Sequence, residues 1–210
     1  MSNAIVIIAI IIIAIIAVCL VGVSIGRKQR ALQPPPLGIV LLLSRTTPLE
    51  ASALASIFSR VTGTTFQVIA PSADRKVTLA DIPVGNAVLG TSPSFLVTVE
   101  NELFLVNNVE KPYTVDLKAA HYEIESARLA ELLKKHEAWL SVEILHPEAV
   151  SSANYRMVGQ VCAELLSAEC LALLHPESRQ VVSVLPSDTL QKLRTPHPIN
   201  AVFGVKFGLS

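Results

Sequence analysis

The 210-residue chain has no surplus of charge of either sign: 17 lysines and arginines stand against 17 aspartates and glutamates. A nucleic-acid binder would carry a basic excess, so that class is set aside. Cysteine is scarce, with three in the chain and Cys19 inside an apolar stretch, which excludes a disulfide-built scaffold. The motifs of familiar chemistry are missing as well. There is no G-x-x-x-x-G-K-[ST], no G-x-G-x-x-G after a strand, no G-x-S-x-G and no H-E-x-x-H. Cys162 and Cys170 stand eight apart, the wrong spacing for a zinc knuckle or a C-x-x-C redox pair. No solenoid-length repeat is present, and no motif calls for a cofactor.

What the chain does have begins at its N-terminus. Residues 4–26 carry no charge, and 20 of these 23 are hydrophobic. As a helix rising 1.5 Å per residue they reach about 34 Å, enough to cross a hydrocarbon core near 30 Å. A cleaved signal peptide would have a basic n-region and a shorter apolar run, and Met1-Ser2-Asn3 offers no basic side chain. The expectation is a retained single-pass helix. Arg27, Lys28 and Arg30 follow it directly, so the positive-inside rule predicts the N-terminus outside and the rest of the chain in the cytoplasm. Gly22 and Gly26 form a G-x-x-x-G pair that could bring two such helices together. The bilayer and a membrane or membrane-proximal protein are the expected partners.

The expected organisation is a membrane helix with its flank over 1–30, a proline-rich spacer over 31–37 and a soluble domain over 38–210. Pro34, Pro35 and Pro36 favour a stiff extended spacer. Residues 38–43 (GIVLLL) read as a strand buried on both faces. Thr47, Pro48 and Glu50 look like a capping box opening a helix whose stripe is Leu54, Ile57, Phe58 and Val61, ended by Gly63. Residues 65–70 read as a strand and 71–92 as a long loop. Residues 94–99 and 103–109 read as a hairpin turning at Asn101-Glu102. A helix follows, begun by Asp116 or Ser126. Residues 139–145 (WLSVEIL) form a strand with a buried Trp139, then Ser151 or Ser152 caps a helix. Strands at 170–174 and 181–185 and a short helical turn after Ser187 complete the reading. The predicted class is α+β, a mixed-sheet sandwich with a ferredoxin-like core.

The segment from Lys135 to Val142 (KHEAWLSV), a helix end running into a strand, is similar to the H-x-A-hydrophobic signature of a bacterial domain family of unknown function. The placement of the hairpin, of Asn107-Asn108 and Pro112-Tyr113, and of the strand CLALLHPE also resembles it, over about residues 37–186. That family carries no activity, so the resemblance implies no catalytic residue.

One constellation has chemical promise. Leu145-His146-Pro147-Glu148 and Leu174-His175-Pro176-Glu177 repeat L-H-P-E at two strand ends. If the helix between is a β-α-β crossover, both tetrapeptides lie at one sheet edge, where two imidazoles and two carboxylates could hold a divalent metal. The plainer alternative is that proline stops each strand and the histidine is incidental. His136 is expected to sit at a helix C-terminus. Asn107, Asn108 and Tyr113 could line a polar pocket or serve turns. The expected function is a non-enzymatic, membrane-anchored interaction or accessory module. The alternative is a metal-dependent hydrolase using His146, Glu148, His175 and Glu177.

Overall fold

The structure is a computed structural model that describes residues 37–69, 85–114, 117, 120–145 and 151–204. All of these fall in one compact unit, Pro36–Ser210. The expected membrane helix at 4–26, its basic flank, the Gly22/Gly26 pair and the prolines of the spacer lie outside the described residues. Among the described residues no helix is long and apolar enough to cross a membrane.

The strand β1 (Leu37–Leu43) starts with the last residue assigned to the spacer, and all seven of its residues are buried. Its side chains alternate between two cores, because successive residues of a strand face opposite ways. Leu37, Ile39, Leu41 and Leu43 enter the larger core, while Val40 and Leu42 enter the smaller one. This is why the run is apolar without a break.

The remaining elements are α1 (Ala51–Thr62), β2 (Gln67–Ile69), β3 (Ala87–Thr91), β4 (Ser94–Val99), β5 (Glu102–Val109) and β6 (Glu123–Ile124). They continue with α2 (Ala127–Leu133), β7 (Ala138–Leu145), α3 (Ser152–Leu165), β8 (Cys170–His175), β9 (Gln180–Ser183), α4 (Pro186–Leu193) and α5 (Pro198–Phe203). The strands form one mixed sheet in the order β2-β3-β4-β5-β7-β1-β8-β9-β6. The class is α+β with a mixed sheet. Its central strands run β8-β1-β7-β5, each antiparallel to its neighbour, with β1 between β7 and β8; this is the strand order that a ferredoxin-like core has. β7 and β8 are therefore parallel to each other, one strand apart, joined by the α3 crossover expected from the sequence.

Several local expectations shift for physical reasons. α1 begins at Ala51 with Glu50 as its cap residue and no side-chain capping bond. The Thr47 carbonyl instead accepts from Asn108 Nδ2 at 2.9 Å. Thr47 precedes proline, a position that disfavours helical backbone. Gly63, at φ 74°, closes α1 as expected. The hairpin pairs Val99 with Glu102, so its turn is Glu100-Asn101, one residue earlier than predicted. β3 lies within the stretch read as loop. Of the two starts offered for the next helix, Ser126 is used, its hydroxyl accepting from the Leu129 N–H at 3.1 Å. Ser151 caps α3 by accepting from the Asn154 N–H at 3.2 Å.

The two sheet faces are covered by different helices. α1 and α3 supply Leu54, Phe58, Val158 and Cys162 to the larger core, where Phe58 meets Phe104 edge-on at 5.3 Å. α2 supplies Leu129 and Leu133 to the smaller core beside Val40, Leu42 and Leu174. Trp139 is only partly buried against that smaller core, edge-on to Tyr113 at 5.3 Å.

Candidate functional site

His175 ends β8 and is fully buried. Pro176 ends the ladder there, since it has no N–H to donate. The chain turns back at once, and the Ser178 N–H points at His175 Nδ1 from 3.2 Å, with the Ser178 hydroxyl 2.8 Å from the same nitrogen. A nitrogen that accepts an N–H carries the ring's lone pair, so the proton of the neutral ring sits on Nε2. Nε2 lies 2.8 Å from Glu177 Oε2. Both ring nitrogens are thus engaged by the residues of their own turn, and the ring also rests on Phe203 at 5.3 Å between centroids. As placed, His175 has no lone pair left for a metal.

His146 and Glu148, the other half of the proposed metal set, lie outside the described residues. Among the described residues, no group of three or more His, Cys, Asp or Glu side chains is arranged to hold a metal. The sheet register bears on the pairing of the two L-H-P-E segments. Val40 pairs with Leu174 on one side and with Ser141 on the other. Continued by one residue, His175 lies level with Ile39 and Val142, so β7 runs on past that level to Leu145.

The residue that comes alongside the His175 turn is Glu143, which the sequence reading did not single out. It pairs across β7 and β1 with Gly38, and a methyl group at Gly38 would lie 2.6 Å from Glu143 Cγ. The glycine therefore leaves the space through which the Glu143 side chain crosses β1. A row of donors leads to this carboxylate on the smaller-core face. Ser94 Oγ donates to Asn107 Oδ1 at 2.8 Å, and Asn107 Nδ2 donates to Ser141 Oγ at 3.1 Å. Ser141 in turn bonds Glu143. Burial raises the Glu143 carboxyl above its ordinary range, the Ser141 bond opposes that, and the Glu177 charge reinforces it. Burial also pushes the Tyr113 phenol well up, helped by its bond to Tyr122 and by Glu143 and Glu177.

Asn107 and Asn108 do not share a pocket. They are consecutive in β5 and so face opposite sides of the sheet. His136 sits where expected: its Nδ1 is 2.5 Å from the Leu133 carbonyl oxygen at the end of α2. Cys162 and Cys170 are buried, and burial pushes the Cys170 thiol up to about 12 and the Cys162 thiol higher still. Buried protonated thiols are poor nucleophiles.

The other concavity of note is open, with apolar and charged side chains on its walls. A groove of about 560 Å³ runs between α2 and the end of β9, with Leu132, Arg128 and Lys135 on one bank and Val184 and Leu185 on the other. Leu132, Leu185 and Val68 are the exposed large hydrophobic side chains among the described residues, and two of them border this groove. Exposed apolar side chains gathered around one concavity mark contact surfaces more often than reaction centres.

No protein-family model, no curated protein and no solved structure matches the chain.

Proposed function

We propose that the chain is a membrane-anchored, non-enzymatic interaction module. Its N-terminal segment would tether an α+β domain to the cytoplasmic face of a membrane, where that domain serves as an accessory subunit of a membrane-associated assembly. The observation that carries this reading is the groove at Leu132 and Leu185, where exposed apolar side chains converge. The groups with chemical potential are meanwhile bound into the fold. His175 is held by its own turn, and the two described thiols are buried.

Two measurements test the reading. Ser2→Cys should label with an impermeant thiol reagent in intact cells, and Gln33→Cys should stay protected. The reverse pattern overturns the orientation. Separately, the chain should co-purify with a stoichiometric protein partner from gently solubilised membranes, and its isolation alone would overturn the accessory role.

A metal-dependent hydrolase built on His146, Glu148, His175 and Glu177 draws on one observation, the parallel run of β7 and β8. It requires His175 to release Ser178 or Glu177 before it can ligate. Stoichiometric zinc or manganese in the purified chain, lost in His175→Ala, would favour it.

A further inference from the structure

We infer that the groove between α2 and β9 is the docking site for an acidic, leucine-rich peptide segment of the partner protein. This inference rests on the interaction-module reading and specifies the chemistry of the partner.

The charges of the groove decide the sign of its occupant. Glu131, on the α2 bank, is held by Lys134, whose Nζ lies 2.8 Å and 2.7 Å from its two carboxylate oxygens. Glu125, at the edge of β9, accepts from the Ser183 N–H at 2.7 Å and from its hydroxyl at 2.6 Å. Those two bonds hold its carboxyl below the ordinary range. Glu131 is thus paired with a cation of the chain, while Glu125 stays anionic but is turned to Ser183 and is not among the residues that line the groove. Arg128 and Lys135 are exposed and make no ion pair among the described residues. The groove thus offers two uncommitted cations beside two exposed leucines. Carboxylates interspersed with leucine-sized side chains complement it on both counts.

The spacing along α2 supports a side-by-side contact. Arg128 and Leu132 stand four apart on one face of α2, and Lys135 follows two residues past the helix end; all three line the groove. Leu185 stands opposite on the segment between β9 and α4. A lipid surface is the other acidic, apolar environment, but a bilayer is flat, and this site is a concavity between α2 and the end of β9 that suits a peptide better.

The test uses the full chain in nanodiscs and a labelled peptide of alternating leucine and glutamate, with a lysine-for-glutamate twin as control. The acidic peptide should bind, the twin should not, and the chain carrying Arg128→Glu with Lys135→Glu should bind the acidic peptide about tenfold or more weakly. That charge-reversed chain should gain affinity for the twin. These side chains are exposed, and unchanged circular dichroism would confirm that the fold survives. A photoreactive residue replacing Leu185 should cross-link to the peptide. Equal binding of both peptides, indifference to the charge reversal, or cross-linking to anionic disc lipid would each overturn the docking site. If a natural partner still co-purifies with the charge-reversed chain, the docking site is wrong and the module reading stands. If the unaltered chain captures no partner, the module reading itself fails.

Discussion

Gly159, in the middle of α3, gives the sharpest test of how the larger core is assembled. A methyl group there would sit 2.3 Å from the Leu193 carbonyl oxygen, 2.5 Å from Pro198 Cβ and 2.6 Å from Pro198 Cγ. None of these is the end of a flexible side chain: one is helix backbone and two belong to a ring. Relief demands that α4 and α5 move away from α3 by most of an ångström, loosening Leu193 and Ile199, both fully buried. Overpacking of this kind costs about 1–3 kcal/mol, against about 1 kcal/mol returned by the better helix propensity of alanine. Gly159→Ala should therefore destabilise by up to about 2 kcal/mol, and Gly159→Val by more, since the gain in propensity is smaller and the bulk larger. The assay is urea unfolding followed by the fluorescence of Trp139, the chain's one tryptophan, which lies in β7 at the centre of the sheet. With a slope of about 2 kcal/mol per molar urea, a loss of that size lowers the midpoint by roughly 1 M. A midpoint that stays put or rises would show that α3 does not pack against α4 and α5 as described.

The half-buried Glu143 predicts a pH dependence with a definite sign. Its carboxyl is raised in the fold, so the unfolded chain loses this proton first. The stability it contributes is full below the unfolded carboxyl range and is lost as pH rises through the folded value. Glu143→Gln should flatten the rise in stability seen on acidifying towards that range, and unchanged pH curves would refute the burial argument. His175→Ala removes a fully buried ring, strands the Ser178 N–H and leaves Glu177 without its partner. A loss of about 2–4 kcal/mol in the same unfolding assay is expected, and a change below about 1 kcal/mol would mean that the turn does not depend on the ring.

The parts of the fold legible in the sequence were those where one physical signal dominates. β1 announced itself because both of its faces are buried, so no polar residue interrupts it. The parallel relation of β7 and β8 followed from the length of the helix between them. β3 was missed because Ala87-Val88-Leu89 is too short a run to show a period. Gly90 follows it at φ 104° and would bring a methyl group 2.7 Å from the Ser94 carbonyl oxygen. β6 is two residues long and exists by pairing with Gln180 and Val181. The order of the central strands was legible for a related reason. The strand that inserts between β7 and β8 must be apolar on both faces, and β1 is the segment that shows this.

The candidate site shows the same division. The L-H-P-E repeat marked the ends of two parallel strands, β7 ending at Leu145 and β8 at His175. Levels in the sheet are set by the pairing of β1, whose Val40 faces Leu174 and Ser141, and this puts Glu143 beside the turn after β8. Glu143 was hidden because, in the alternating pattern of WLSVEIL, a glutamate between two apolar residues reads as an ordinary solvent-facing position. The one available hint was Gly38, placed where an otherwise unbroken apolar strand gives up its side chain. A glycine inside such a strand marks a place where something crosses closely, and here that is the Glu143 side chain. The groove at Leu132 and Leu185 had no comparable hint. A leucine on an amphipathic helix looks like core until its neighbours are known, and its exposure is a property of where α2 ends relative to β9.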